Sequence, residues 1–271
     1  MISPMQSESF HLELTSLSDP GRVRALNEDA VAVSGAHRFA VIADGMGGHR
    51  AGDVASHIAL DWAVECLSTL AHAPTAPEFA TKIINEANSA IHTKATQELG
   101  YKGMGTTLAM AIFGNKRVTL AHVGDSRIYR LRNGQLTLLT RDDSMLNDQI
   151  EQGLIAAQDA SDSHNRHMVT QALGNHPQVT AHVQEEALCN GDVYLLCTDG
   201  LTDLIDEKDI EHIIDALKTN LPLLASHLVQ LANDCGGYDN VTVALARVLD
   251  TPPPTLAEKS LMQRLFDWLG L

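Results

Sequence analysis

"TTLAMAIFGNKRVTLAHVGDSRIYRLRNGQLTLLT", residues 106–140, decides the fold. Runs of strand length and strand composition ("TTLAMAIFG", "RVTLAHVG", "SRIYRLR" and "QLTLLT") follow one another with almost no chain between them. Gly114-Asn115 separates the first pair and Asn133-Gly134 the last, the chemistry of tight hairpins. A parallel crossover needs a dozen or more residues. These strands are therefore antiparallel neighbours, and a doubly wound parallel sheet is excluded.

Upstream, "FHLELTSLSD", "AVAVSG" and "RFAVIAD" read as strands. A helix follows, with Val54, Ile58, Trp62, Cys66 and Leu70 at four-residue steps. "HAPTAP" breaks it, and a second helix carries Phe79, Ile83, Ala87, Ile91 and Ala95. Downstream come the strands "VTAHVQEEAL" and "DVYLLCTD". Two helices follow, one with Ile210, Ile213, Ile214 and Leu217 and the other with Leu221, Leu224, Leu228 and Leu231. The strand "NVTVALARVL" closes the domain. Consecutive strands interrupted by helix pairs predict an α+β fold, with sheets packed together and helices outside. Residues 143–176 are polar and helix-leaning, an excursion over one edge. "DTPPPT" (250–255) reads as a stiff linker. The tail to residue 271 places Leu261, Leu265, Phe266, Trp268 and Leu269 in one amphipathic stretch. Two readings of it stay open: a terminal helix docked on its own domain, or a peptide that docks on a partner or a membrane surface.

At 271 residues one large domain is the simplest organisation. A formal charge of −15 argues against nucleic acid and anionic membrane as partners and suits a soluble protein or one that collects cations. The four cysteines form no CxxC pair, as expected in a reducing cytosol. No signal peptide and no run of transmembrane length is visible, so the expected location is cytoplasmic.

The chemistry begins at "RFAVIADGMGGHRAGDVAS" (38–56), where a strand turns on glycines into a helix. Such a turn usually cradles phosphate, yet the strand ends in Asp44, which would repel it. Asp125 and Asp199 also follow strands, whereas Glu28, Asp29 and Asp239 precede them. Each alone is an ordinary turn residue. In antiparallel neighbours, however, the end of one strand lies beside the start of the next, so these acids gather on one rim. Clustered carboxylates repel unless a cation lies between them. An all-oxygen set suits magnesium or manganese, whereas zinc would prefer His and Cys. The thirteen histidines, His164 and His167 included, show no metal-site spacing. The glycine turn thus bends around metal, and metal attracts the phosphate.

Six ordered blocks carry a resemblance: "GRVRALNED", "VIADGMGGHRAGDVAS", "GMGTTLAMA", "AHVGDSRIYRLRNGQL", "LLCTDGLTDLI" and "GGYDNVTVALA". Over Phe10 to Leu249 the chain resembles the metal-dependent protein phosphatase 2C family, particularly its compact bacterial members. The resemblance implies a four-layer αββα sandwich: two antiparallel sheets flanked by helix pairs. It implies a catalytic domain at 1–249 with a flap at about 143–176, then a linker and tail at 250–271. It also implies hydrolysis of phosphoserine and phosphothreonine in proteins by water activated at a binuclear manganese or magnesium centre, with no phosphoenzyme. Two or three ions per subunit are expected. Asp44 resembles the bridging ligand, with the Gly45 carbonyl on one ion and Asp199 and Asp239 as the other principal ligands. Glu28 and Asp29 match the acidic pair that meets metal directly or through water. Asp125 matches a ligand of a third ion, and Arg24 the arginine that grips substrate phosphate. The implied partners are phosphoprotein substrates and an opposing serine/threonine kinase.

Two positions depart from the pattern. Met46 stands where some relatives have the histidine that protonates the leaving group, and Asp143 where bacterial relatives often have histidine, which puts local orientation there in question. Thr106 and Thr107 are expected to start a packed strand, Asn240 to orient a loop, and Ser126 and Arg127 to support the site from behind. Cys197 invites a thiol-phosphatase reading, but its loop lacks the basic surroundings that activate a thiolate.

Overall fold

Strands that are apolar at nearly every position are strands buried on both faces. The computed structural model, which describes residues 10–47, 51–69, 77–155 and 168–250, bears this out. One sheet has five strands in the order β1 (His11–Asp19), β11 (Val241–Leu249), β10 (Val193–Cys197), β7 (Arg127–Arg132) and β8 (Gln135–Leu138). The other runs β2 (Asp29–Ser34), β3 (Phe39–Met46), β5 (Leu108–Phe113), β6 (Arg117–Val123) and β9 (His182–Ala187), with the short β4 (Gly105–Thr106) also paired to β3. Every pairing is antiparallel.

The alternation of side chains sorts each strand between two cores. Phe39, Val41 and Ala43 of β3 face the helices α1 (Ala51–Ser68) and α2 (Pro77–Gln97), while Ala40 and Ile42 face the opposite sheet. On the other side, Leu195 and Val243 pack under α5 (Glu207–Leu217) and α6 (Leu221–Asp234), while Tyr194, Leu196 and Ala244 point inward. Phe113 and Tyr194 meet edge-on across the middle layer, ring centroids 5.5 Å apart. The layering is thus helices, sheet, sheet, helices, as the sequence predicts.

Asn133 and Gly134 adopt φ of 53° and 78°, the left-handed pair that a two-residue hairpin requires, and Arg132 faces Gln135 across it. The other hairpin closes one residue later than expected. Gly114 N–H donates to the Arg117 carbonyl at 2.8 Å, so Asn115 and Lys116 form the turn, neither with positive φ.

The face of α1 that packs deepest is not the bulky one. Ala51, Ala55, Ala59, Ala63 and Leu67 line the sheet, whereas Val54, Ile58, Trp62 and Cys66 are half-buried at its flanks. Small residues let the helix axis approach the strands, and the larger ones wedge the sides. Within the polar excursion, α3 (Met145–Glu151) is capped by Ser144, whose hydroxyl accepts from Asn147 N–H. The expected linker and tail, the His164/His167 pair, and His49, which follows the glycine turn in sequence, lie outside the described residues. Among the described residues no helix is long and apolar enough to cross a membrane.

Candidate metal centre

Antiparallel register brings the acids together. Asp29, first residue of β2, is the direct partner of Asp44 in β3. In the facing sheet Cys197 pairs with Val243, so Asp199, which opens the short helix α4 (Asp199–Thr202), and Asp239, two residues before β11, sit at the same end. Burial raises the Asp44 carboxyl well above the usual carboxylate range, and Asp29, Asp199, Asp125 and Asp239 push it further. Burial likewise lifts Asp29 to about 7, partly offset by hydrogen bonds from Thr242 and Thr198, with Asp199 and Asp239 adding repulsion. Asp125 also reaches about 7, through burial and then the charges of Asp199 and Asp142. Asp44 thus lies in the field of the four other aspartates.

They share a field rather than a single point. Among the described residues no three acidic, histidine or cysteine side chains close around one position. Two observations nevertheless fit the rim to hard cations. Glu28 Oε1 and Asp29 Oδ1 are buried acceptors without a hydrogen-bond partner, which is costly unless something positive meets them. The donor set is also all oxygen.

Each acid is positioned by identifiable neighbours. Thr107 Oγ1 accepts from Asp44 N–H at 2.9 Å and bonds the Ser126 hydroxyl at 2.7 Å, while Thr106 Oγ1 donates to the Asp44 carbonyl at 2.8 Å. Asp29 stitches the two sheets together: its Oδ2 accepts from Thr242 Oγ1 at 2.7 Å and Thr198 Oγ1 at 3.0 Å. Asn240 Oδ1 accepts from Glu28 N–H at 2.8 Å, and its amide donates to the carbonyls of Pro20 and Leu26 at 3.0 and 2.9 Å. Asn240 thus orients its loop as the sequence predicts. Thr106 and Thr107 lead into the packed strand β5 as expected, and both also fasten the backbone of Asp44.

Gly45 and Gly52 have a steric reason. A Cβ on Gly52 would lie 2.7 Å from the Gly45 carbonyl and 2.8 Å from Glu28 Oε1. Gly45 N–H donates to the Glu28 carbonyl at 3.2 Å, so strand, helix and acidic loop converge there.

Arg24 Nη2 donates to Asp239 Oδ2 at 2.7 Å, with both side chains about half exposed. An ion pair that open to solvent is weak, so the guanidinium can exchange its carboxylate for another anion. Arg127 grips Asp142 with both Nε and Nη2. Asp143 keeps its surroundings ordered: it accepts from Gly124 N–H at 3.0 Å and Gln171 Nε2 at 3.0 Å, and lies 2.8 Å from His182 Nε2. The Asp125 loop is therefore tied through Asp143 to β9 and to the far end of the polar excursion.

Comparisons agree with this architecture. The family model for protein phosphatase 2C matches residues 22–233. The serine/threonine protein phosphatase PstP of Mycobacterium tuberculosis is 39% identical over 243 residues, covering 88% of this chain and 45% of its own length. This chain therefore spans less than half of that relative. The serine/threonine phosphatase stp of Listeria innocua is 36% identical over 253 residues, covering 91% of this chain and 96% of the relative. The PstP catalytic domain solved in complex with two manganese ions superposes with a TM-score of 0.80 at 35% identity, over 89% of this chain and 100% of that one. The chain belongs to the protein phosphatase 2C family.

Proposed function

We propose that this protein is a metal-dependent serine/threonine protein phosphatase that hydrolyses phosphoserine and phosphothreonine in proteins. The observation that carries this reading is the acidic rim, where buried Asp44 is repelled by four other aspartates and two buried carboxylate oxygens, on Glu28 and Asp29, have no hydrogen-bond partner. Asp44, the Gly45 carbonyl, Asp199 and Asp239 would hold two manganese or magnesium ions. Glu28 and Asp29 would meet them directly or through water, and Asp125 would serve a third. When bound, such ions supply Lewis-acid charge and acidify water.

The chain's own groups do the rest. Arg24, on a solvent-open loop, exchanges Asp239 for substrate phosphate and offsets charge on its oxygens. Thr106 and Thr107 hold the Asp44 backbone at a fixed height, and Asp29 keeps the two sheets in register beneath it. No side chain carries the phosphoryl group. Burial pushes the Cys197 thiol up to about 12, so it remains protonated and inert.

The catalytic unit in this reading is residues 1–249, with 250–271 as linker and docking tail. Its physiological counterpart is a serine/threonine kinase whose marks it removes. Four cysteines without a disulfide accord with a cytoplasmic location.

Phosphate release from a phosphothreonine peptide, measured with manganese and with EDTA, tests the assignment. Metal-dependent turnover is expected, and Asp44→Asn and Asp239→Asn should each lower kcat at least about 1,000-fold, a loss of roughly 4 kcal/mol in transition-state stabilisation, with unchanged circular dichroism. Folded protein that releases no phosphate with manganese would reject it.

A further inference from the structure

A groove of about 490 Å³ opens between the C-terminal end of α2 and the turn at Gly174–His176, within the size range of ligand-binding clefts. His92, Thr96, Leu99, Lys102 and Gly103 line it from the α2 end and Gly174, Asn175 and His176 from the facing turn. The walls are fastened to each other. Asn88, buried in α2, accepts from Gly174 N–H at 2.8 Å and donates to the His176 carbonyl at 3.1 Å. The opening is therefore built into the fold.

The groove adjoins the acidic rim. Met46 pairs with Gly105, and a Cβ on Gly47 would come within 3.6 Å of the Gly103 carbonyl. A chain whose phosphorylated residue sits at Asp44 would reach the groove with its flanking residues.

Its chemistry is opposite to that of its surroundings. In a protein of net charge −15 no carboxylate lines the groove. Lys102 has no ion-pair partner among the described residues, and two imidazoles stand beside it. At its lip Leu99 is 95% exposed, the most exposed large apolar side chain among the described residues. An apolar knob beside an unpaired cation, in an otherwise acidic molecule, complements a peptide with acidic and apolar side chains. We infer that this groove is the docking site for the substrate segment flanking the phosphorylated residue, and that it selects acidic flanks. This inference rests on the proposed phosphatase reading and names the substrate class for it.

The test uses the full chain with manganese. Initial rates are measured on phosphothreonine peptides of one parent sequence bearing glutamate or lysine at each flanking position, and on p-nitrophenyl phosphate, which is too small to reach the groove. Glutamate on the groove side should lower KM relative to lysine. Lys102→Glu should raise KM for the preferred glutamate peptide about fivefold or more, the size of one solvent-exposed charge contact reversed. Its kcat on p-nitrophenyl phosphate should not change. Leu99→Ala should raise KM for peptides of either charge. Equal KM values for the two peptide sets, or a preference that survives Lys102→Glu, would overturn the inference while p-nitrophenyl phosphate turnover leaves the phosphatase assignment standing. If Lys102→Glu accelerated every substrate alike, the groove would be occupied by the chain's own tail, which also overturns it. An unaltered chain inactive on all substrates would reject the activity and this inference together.

Discussion

Asp44 is held by its backbone rather than its side chain. Thr107 satisfies its N–H, and Thr106 its carbonyl. That division leaves the carboxylate without a hydrogen-bond donor among the described residues while fixing where it stands. Thr107→Val keeps the shape and removes the hydroxyl, leaving a buried N–H without a partner and freeing the Ser126 hydroxyl. Stability should fall by about 1–3 kcal/mol in chemical denaturation. Turnover should drop about 10- to 100-fold, because small displacements of a reacting group are expensive. A variant with normal kcat would show that the threonine is dispensable for positioning. At this scale the sequence was only partly legible. The acids announced themselves by standing at strand starts and ends. The hydroxyls did not, because a β-branched threonine also reads as an ordinary strand former. Arg24 and Asp239 are 215 residues apart, beyond anything local pattern can connect.

Among the elements, α1 is the one whose packing differs from its periodicity. Hydrophobicity pointed to Val54, Ile58, Trp62 and Cys66, yet alanines and a glycine form the contact. Alanine is mildly apolar and frequent in helices, so a close-approach stripe of small residues has no signature until the neighbouring strand is in place. Gly52 carries this furthest. In an exposed helix, Gly→Ala gains about 1 kcal/mol. Here the added methyl would strike the Gly45 carbonyl and Glu28 Oε1. Gly52→Ala should therefore destabilise the protein, by about 1–3 kcal/mol as overpacking does, and weaken manganese binding in a calorimetric titration by displacing Glu28. A stabilised variant with unchanged manganese affinity would contradict the close approach. The hairpins were more transparent. Asn133-Gly134 required left-handed backbone and adopts it, whereas Gly114-Asn115 only marked the neighbourhood of a turn that closes on Asn115-Lys116.

For the whole molecule, the rim sets the pH dependence. In the protein without divalent ions, Asp29 and Asp125 carry folded-state values near 7, and Asp44 is raised as well, against an ordinary 3.8. Raised values mean that the folded state binds more protons than the unfolded chain between pH 4 and 7, so stability increases as pH falls through that window. Below its ordinary 6.5, His122 opposes the trend, since burial depresses its folded value; three acids outweigh one imidazole. In EDTA, Tm should be higher at pH 6 than at pH 7.5. With manganese the order should reverse, because protons then compete with the cation for the same oxygens. A Tm in EDTA that falls from pH 7.5 to pH 6 would show that the acids are not electrostatically strained. The layered architecture itself was legible throughout, because a strand buried on both faces and a helix buried on one differ in period. The groove beside Leu99 was not, since it depends on how two distant turns meet.

The strand order has a bearing on biosynthesis. β11, the last of the described strands to be made, lies between β1 and β10, and its residues pair from His11↔Leu249 to Asp19↔Val241. Until that segment leaves the ribosome, the first strand has no partner, the five-stranded sheet is split, and Asp239 is missing from the rim. A nascent chain halted before residue 239 should therefore bind no manganese and protect no core amide of β1. The acidic rim becomes complete only late in synthesis, when β11 inserts between β1 and β10.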